Sequence, residues 1–457
     1  MITPLLLLLA AAPSTPASFV GVSGTGGPLT DTAGPASPAA IDDGWAAREV
    51  TLDELLRHAE GRAPKNARAH AQVSLGAAAR EAVAPLLPYN PSVGAVLGVR
   101  TNPLGASFEM QLTISQQLEI VGERGARRRA AGAYDVGLHR RLDQSRFETH
   151  VALRWAYASA LLAKQRLHTA TRVRDFTGSL VHTAKRQVEA GDLAPLRLRM
   201  AEASLAQATQ ARREAARVYR AACRQLATTA GWPAAEPVAP VGELGDVSSR
   251  LDADALVSEA LERHPELVAL AQELRAARAG LRAAKRDAWP EPTIGAYAAR
   301  EHEPGSPFAS RVGLITVSVP LPLWRRNQGP RAQAKAQLRI AEVALATRRY
   351  ELEQELRRSI DAVQTAAARV QDYGRDVLPR FDENLELLQR AFELGEIDII
   401  GVAVGRQSFF DAQAAALETW SDYLAAVRQL ELAVGRPVVD TVRTAAAPMG
   451  SAGPAAP

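Results

Sequence analysis

The sequence predicts a mainly α-helical protein with a small membrane β region, built from a duplicated unit of helix, helix, β-hairpin, long helix and helix. Three observations predict it. Five landmarks recur in the same order about two hundred residues apart. Two proline-free stretches are far longer than a compact domain needs. Two segments alternate apolar and polar residues with a period of two.

The bulk composition agrees with long helices. Apolar residues make up 47% of the 457, chiefly Ala and Leu, while aromatics are only 5%, too few for several aromatic-rich cores. The 54 basic and 50 acidic residues nearly balance, at +4 overall, whereas a nucleic-acid binder concentrates positive charge on one face. The single cysteine, Cys223 in AACRQLA, excludes a disulfide framework and a cysteine metal site, and it is expected to pack as a small apolar residue.

Along the chain, residues 1–17 (MITPLLLLLAAAPSTPA) carry an apolar core of secretory-signal length, though no Lys or Arg precedes it. Residues 18–48 are rich in Gly, Pro, Ala and Ser and are expected to be a disordered linker. GVSGTGG within them follows no strand and opens no helix, so it is read as linker rather than phosphate loop. The first repeat is expected over 49–233, a linker over 234–251, the second repeat over 252–437 and a flexible tail over 438–457. No segment approaches the ~20 apolar residues of a transmembrane helix.

The repeat is found by superposing the halves. Pro64 against Pro265 and Pro91 against Pro292 both give a shift of 201; Ser115 against Ser318 gives 203; Gly191 against Gly395 and Gly231 against Gly435 give 204. In each half a short helix and a second helix precede two strands, expected near 91–100 and 107–121 and near 292–301 and 310–323. A long helix follows, from Arg124 to Ala190, or from Arg331 to Leu378 and past Pro379 to Leu394. About 67 residues of helix is roughly 100 Å, a length that belongs to a coiled coil or a tube. Leu338, Leu345 and Leu352, then Leu356, Val363, Val370 and Val377, fall seven apart with a four-residue step between the series, as in gently coiled antiparallel helices. A Gly-acid-aliphatic turn and a further helix complete each unit.

In SFEMQLTISQQLEI, Phe108, Met110, Leu112 and Ile114 share one face, and Glu109, Gln111, Thr113 and Ser115 share the other. Ile315, Val317 and Val319 repeat the pattern opposite Thr316 and Ser318. Strands of about ten residues cross a bilayer when tilted. A soluble antiparallel sheet with one buried face is an alternative that the strands alone leave open. Four strands cannot close a membrane barrel, whose smallest members have eight, so a membrane assignment draws the missing strands from further copies of the chain. Pro320 and Pro322 then end the last ladder, Trp324 suits a membrane interface, and Arg325, Arg326 and Arg124 are expected beside headgroups or an acidic neighbour.

The duplicated arrangement, the strand exits PLPLWRRNQG and VGERGAR and the paired turns VEAGDL and LGEIDI resemble the TolC-like outer-membrane efflux proteins. Within that family they are most like the branch serving cobalt–zinc–cadmium or copper–silver pumps. The resemblance covers Glu49 to about Val438. It implies a homotrimer whose twelve strands form a barrel in the outer-membrane lipid, continued by a helical tunnel across the periplasm. It also implies that the tips Gly191, Asp192, Leu193, Gly395, Glu396 and Ile397 meet a periplasmic membrane-fusion adaptor and, through it, an inner-membrane pump of the resistance-nodulation-division (RND) class. A tunnel constriction would fall at Asp398, Gly401, Val404 and Arg406. Two departures stand out. No cysteine near the N-terminus can carry a lipid, and GVAVGRQ places Gly401 and Val404 where the family often has carboxylates, so the gate is expected to differ in charge.

The function expected is a passive export conduit, with heavy-metal cations as the expected cargo. Drugs or type I secreted proteins are alternative cargoes, and a soluble periplasmic coiled-coil scaffold is the alternative from another class. The chain has no HExxH, phosphate loop or nucleophile elbow, and its eight histidines are scattered. No catalytic residue, cofactor, metal ligand or nucleic-acid partner is therefore expected.

Overall fold

A computed structural model of the chain describes residues 39–41, 45–87, 89–103, 105–247, 251–302, 308–376, 381–394 and 396–443. The expected signal segment, the linker up to residue 38, Pro379, Gly395 and the tail beyond 443 lie outside the described residues. The elements run β1 (Ala39–Ile41), β2 (Trp45–Val50), α1 (Leu52–Arg62), α2 (Pro64–Ala82), β3 (Ser92–Asn102), β4 (Gly105–Gln117), α3 (Glu123–Ala190) and α4 (Pro195–Ala230). They continue as β5 (Val238–Pro240), β6 (Glu243–Leu244), α5 (Ala253–Arg263), α6 (Pro265–Arg286), β7 (Thr293–His302), β8 (Ala309–Ser318), α7 (Gln328–Asp376), α8 (Phe381–Glu393), α9 (Ile399–Val434) and β9 (Val442–Arg443).

The duplication reaches the level of caps and bends. Helices α1 and α5 both have 11 residues and begin at side-chain caps, Thr51 and Asp252. Each ends at an extended residue, Ala63 or His264, that is also the N-cap of the next helix, whose first position is Pro64 or Pro265. Proline lacks the N–H that a first turn leaves unpaired, so it redirects the chain there at little cost. Helices α4 and α9 both have 36 residues and end at left-handed glycines, Gly231 (φ 71°) and Gly435 (φ 88°). A Cβ at Gly231 would overlap the Arg62 carbonyl, because α4 closes against the bend between α1 and α2.

Helix α3, at 68 residues, is the spine. Helices α2 and α4 pack along one flank and α6 and α9 along the other, while α7 packs on α6 and α9. Four members of the expected seven-residue series, Leu352, Leu356, Val363 and Val370, are buried with Tyr423, Val427 and Leu430 of α9; Leu345 packs against them partly buried, Leu338 is half-buried, and Val377 lies outside the described residues. A matching cluster in the first repeat joins Leu55, Leu153, Tyr157 and Leu226. None of the described helices is long and apolar enough to cross a membrane.

Three expectations are corrected. The linkers contain strands: β1 and β2 lie partly in 18–48, β5 and β6 in 234–251, and β9 in the tail. Strand β2 pairs in parallel with β5, Arg48 against Val238 and Val50 against Pro240, and the Tyr157 hydroxyl lies within hydrogen-bond reach of the Val241 and Val50 carbonyls, at 2.6 and 3.0 Å. Strand β1 pairs with the neighbouring β2, but the β2–β5 and β6–β9 pairs join residues about two hundred apart, which no local pattern reveals. Strand β8 stops at Ser318 rather than near 323, because Pro320 cannot donate to a ladder. Strand β4 stops at Gln117 rather than near 121, because its partner β7 begins only at Thr293, after Pro290 and Pro292.

Candidate functional site

The four long strands form one antiparallel sheet in the order β3-β4-β7-β8. Register fixes its faces, since directly paired residues point the same way. Val93, Ile114, Ala296 and Ile315 form one row; Ala95, Leu112, Ala298 and Gly313 form the next. Phe108, Met110, Leu112, Ile114, Ile315 and Val317 all stand on this apolar face. No layer of described residues covers it: Ile114 is 50% exposed, Val317 68% and Ile315 82%.

On the two central strands, β4 and β7, the polar face is the more sheltered one. Along β7, Gly295 and Ala299 are buried while Ile294, Ala296 and Ala298 are exposed. The sheet therefore curves with its polar face concave. The glycines that made strands one and three look weak serve this curvature. A Cβ at Gly94 or Gly295 would come within 2.8 Å of Thr113 Oγ1 or 2.7 Å of Thr316 Oγ1 across the ladder. Two polar pairs meet on this face: Ser92 and Ser115 hydroxyls lie 2.7 Å apart, and Arg100 meets Glu109 at 2.5 Å. A soluble sheet would bury its apolar face; here that face is left exposed by the described residues, which speaks against the soluble-scaffold alternative.

Below the sheet, at the end facing the helices, Val319 and Trp324 are 50% and 83% exposed, with Leu321 and Leu323 exposed between them. Arg325 and Arg326 are exposed, and Arg326 Nε donates to the Pro322 carbonyl at 3.0 Å. Arg124 has partners within its own chain. Its guanidinium donates to the carbonyls of Pro85 and Ala84, at 2.9 and 2.8 Å, just beyond the C-terminus of α2. A cation at the start of one helix thus offsets the negative end of another. In the second repeat Asn327 Nδ2 does the same for the Ala284 carbonyl at 2.9 Å. Each junction also turns on a left-handed residue, Gly122 (φ 79°) or Asn327 (φ 56°).

At the opposite end the two turns come together. Gly191 (φ 84°) closes α3, and the N–H groups of Asp192 and Leu193 both reach the Gln187 carbonyl. The N–H groups of Glu396 and Ile397 both reach the Ala391 carbonyl, at the same offsets. Leu193 and Ile397 tuck into one shared cluster with Phe176, Leu180, Phe392 and Val402, leaving Asp192 and Glu396 exposed.

The expected constriction residues divide. Asp398 is the N-cap of α9: Oδ1 accepts the Gly401 N–H at 2.8 Å, and Arg197 lies 3.8 Å from Oδ2. Val404 is 62% exposed and, with Arg406, lines a groove of about 550 Å3 between α3, α4 and α9. Arg406 donates to Thr177 Oγ1 at 3.2 Å, and burial lowers its pKa. Sequence reading missed Arg197, Thr177 and Asn327, because their partners are distant along the chain. Of the buried titratable groups, Cys223 is packed among apolar residues with its thiol pushed up to about 12 by burial. No group of His, Cys, Asp and Glu among the described residues has metal-binding geometry.

Comparisons with known proteins meet the same picture. Residues 256–436, most of the second repeat, match the family described as outer membrane efflux protein. The cobalt-zinc-cadmium resistance protein CzcC of Cupriavidus metallidurans is 26% identical over 321 residues, 70% of this chain and 75% of that protein. The fold is similar to that of the outer-membrane channel OprN, with a TM-score of 0.67 at 17% identity over 84% of this chain and 89% of that one. The transmembrane channel CusC gives 0.64 at 15% identity over 84% and 92%. The family match falls on the second repeat and the first repeats the same order of helices and strands, so the similarity to outer membrane efflux proteins, their metal-efflux branch included, extends over most of the described chain.

Proposed function

We propose that three copies of this chain close a twelve-stranded barrel and a helical tunnel, which conduct cargo passively out of the cell as the outer-membrane part of a tripartite efflux system. The observation that carries this reading is the exposed apolar face of β3-β4-β7-β8 above a sheltered polar one. Such a sheet is at rest only with hydrocarbon outside and water inside, and its two open edges, β3 and β8, cannot remain unpaired in lipid. The contacts between repeats suggest how copies join: β4 pairs with β7, and α3 packs on α6. By the same operation β8 would pair with the β3 of a second copy, and α7 would pack on its α2. The cycle needs no catalytic group or cofactor, because the conduit does no chemistry.

Heavy-metal cations are the proposed cargo, supported by the likeness to a protein named for cobalt, zinc and cadmium resistance. The pump chooses the metal. The tips at 191–193 and 395–397 are the proposed contacts for a periplasmic adaptor, because Asp192 and Glu396 are exposed on turns whose Leu193 and Ile397 pack on one cluster, at the end away from the sheet. Val404 and Arg406 are the proposed lining of a constriction, with Asp398 holding the helix start instead. Trp324, Arg325 and Arg326 are the proposed anchors at the periplasmic membrane surface.

Deletion of the gene is expected to lower tolerance to zinc, cobalt or cadmium, with restoration by the wild-type chain. Charge reversal at Asp192 and Glu396 is expected to leave heat-sensitive trimers in the outer-membrane fraction while abolishing that restoration. Unchanged tolerance in the reversed variant would remove the tip assignment, and recovery of the wild type as a soluble monomer would remove the channel.

A further inference from the structure

The lipid-facing surface carries charge in one place. Arg300 of β7 and Arg311 of β8 are direct register partners, and Met110 of β4 completes their row on the apolar face. Both are exposed, and neither hydrogen-bonds to nor pairs with a described residue. Like charges placed directly opposite across a ladder destabilise it, so the pair needs an external counter-charge.

That counter-charge does not come from the barrel wall. Every outward position of the four described strands is apolar, glycine or neutral polar apart from these two arginines and His302; the strand carboxylates, Glu109 and Glu301, point inward. A second copy aligned edge to edge would add only the same outward residues. The inward arginine makes the contrast plain, because Arg100 has its carboxylate, Glu109, at 2.5 Å.

Depth identifies the environment. The pair stands two residues from the β7–β8 turn, whose last register pair is His302 with Ala309, about 7 Å along the strand. The helices leave the other end of the sheet into the periplasm, so this end lies at the outer leaflet, where chains give way to headgroups. Two guanidiniums on adjacent strands, about 5 Å apart at the backbone, offer paired donors to phosphate oxygens.

We propose that Arg300 and Arg311 form a binding site for the phosphate groups of the phosphorylated glycolipid of the outer leaflet, lipopolysaccharide, one site per protomer. The site rests on the outer-membrane placement above and is independent of the cargo.

The test uses the full-length protein in phosphatidylcholine vesicles doped with lipopolysaccharide, with dephosphorylated lipopolysaccharide, or with phosphatidylglycerol. Lipid retained by the trimer after detergent extraction is measured by native mass spectrometry. The wild type is expected to retain lipopolysaccharide and to lose about tenfold in retention when its phosphates are removed or in the double variant Arg300→Gln, Arg311→Gln. The variant Arg300→Lys, Arg311→Lys, which keeps the charge, is expected to retain most of it. Equal retention by the Gln variant, or equal retention of phosphatidylglycerol, overturns the proposal. Flotation with the vesicles and trimer content are read in parallel: a wild type that does not float fails at the membrane placement itself, whereas one that floats without retaining the glycolipid fails only here.

Discussion

Helix α3 of the first repeat has α2 and α4 on one flank and α6 and α9 on the other. Helix α7, its counterpart in the second repeat, packs on α6 and α9 and leaves Ile340, Val343 and Tyr350 at 47–68% exposure. The strands repeat the contrast, with β4 paired on both edges and β8 on one. Duplication copied the elements but could not copy their surroundings, because a chain of two repeats has one internal junction and two ends. The difference teaches where the molecule is unfinished: at β8 and α7 on one side and at β3, α2 and α4 on the other.

The largest expected effect breaks the comparison at the sheet. Ile114 of β4 and Ile315 of β8 stand in one row, one central and one at the edge. Arginine at either is expected to cost about 2–4 kcal/mol per copy near the bilayer centre and to deplete trimer from the membrane fraction. Thr113→Arg, pointing inward, is expected to be far milder. If Ile315→Arg were silent while Ile114→Arg was severe, the edge strand would not be facing lipid.

Next come the helix ends. Gly231→Ala sets a methyl against the Arg62 carbonyl on left-handed backbone, with an expected loss of about 3 kcal/mol in chemical denaturation. Gly191→Ala meets nothing within 4 Å and is expected to lose only the backbone term, about 1 kcal/mol. Equal losses would show that the turn at the tip is as tightly held as the bend near the domain centre.

The two tips differ in their caps. Asp398 caps α9, whereas Ala194 offers α4 no side-chain cap. Asp398→Ala is expected to cost about 1 kcal/mol locally, read as faster hydrogen exchange at Gly401 and Val402 with the global melting temperature nearly unchanged.

The smallest effect concerns pH. His264 replaces Ala63 at the equivalent bend: Nδ1 accepts the Glu266 N–H, so Nε2 carries the proton donated to the Leu432 carbonyl at 2.9 Å. Burial lowers its pKa from the ordinary 6.5. As pH falls below 6.5 the unfolded chain takes up the proton first, and stability is lost progressively; above 6.5 the group is neutral in both states and contributes no slope. His264→Ala is expected to flatten the melting temperature between pH 6.5 and 5 relative to wild type, at a small cost at pH 7.5.

The long helices, the paired Pro-initiated bends, the two glycine ends and the lipid-facing alternation were legible because each rests on a local rule: a missing N–H, a left-handed φ, a period of two. Short β2, β5, β6 and β9 were not, since two to six residues carry no period and their partners lie far along the chain. Among the tip residues, Asp192, Leu193, Glu396 and Ile397 were identified from a motif, whereas the capping role of Asp398 needed the position of Gly401. For Arg124, expected beside headgroups or an acidic neighbour, sequence shows that a cation opens α3 but not that the end of α2 lies beside it.

By itself the sequence determined what each segment would become and which face of each strand is oily, since those follow from backbone chemistry and the alternation of side chains within a few residues. Only the tertiary structure decided that the polar face is concave, that both tips share one cluster, and that two arginines oppose each other on the outward face. Such facts depend on register and curvature, and these are set by contacts between residues that the chain brings together only on folding.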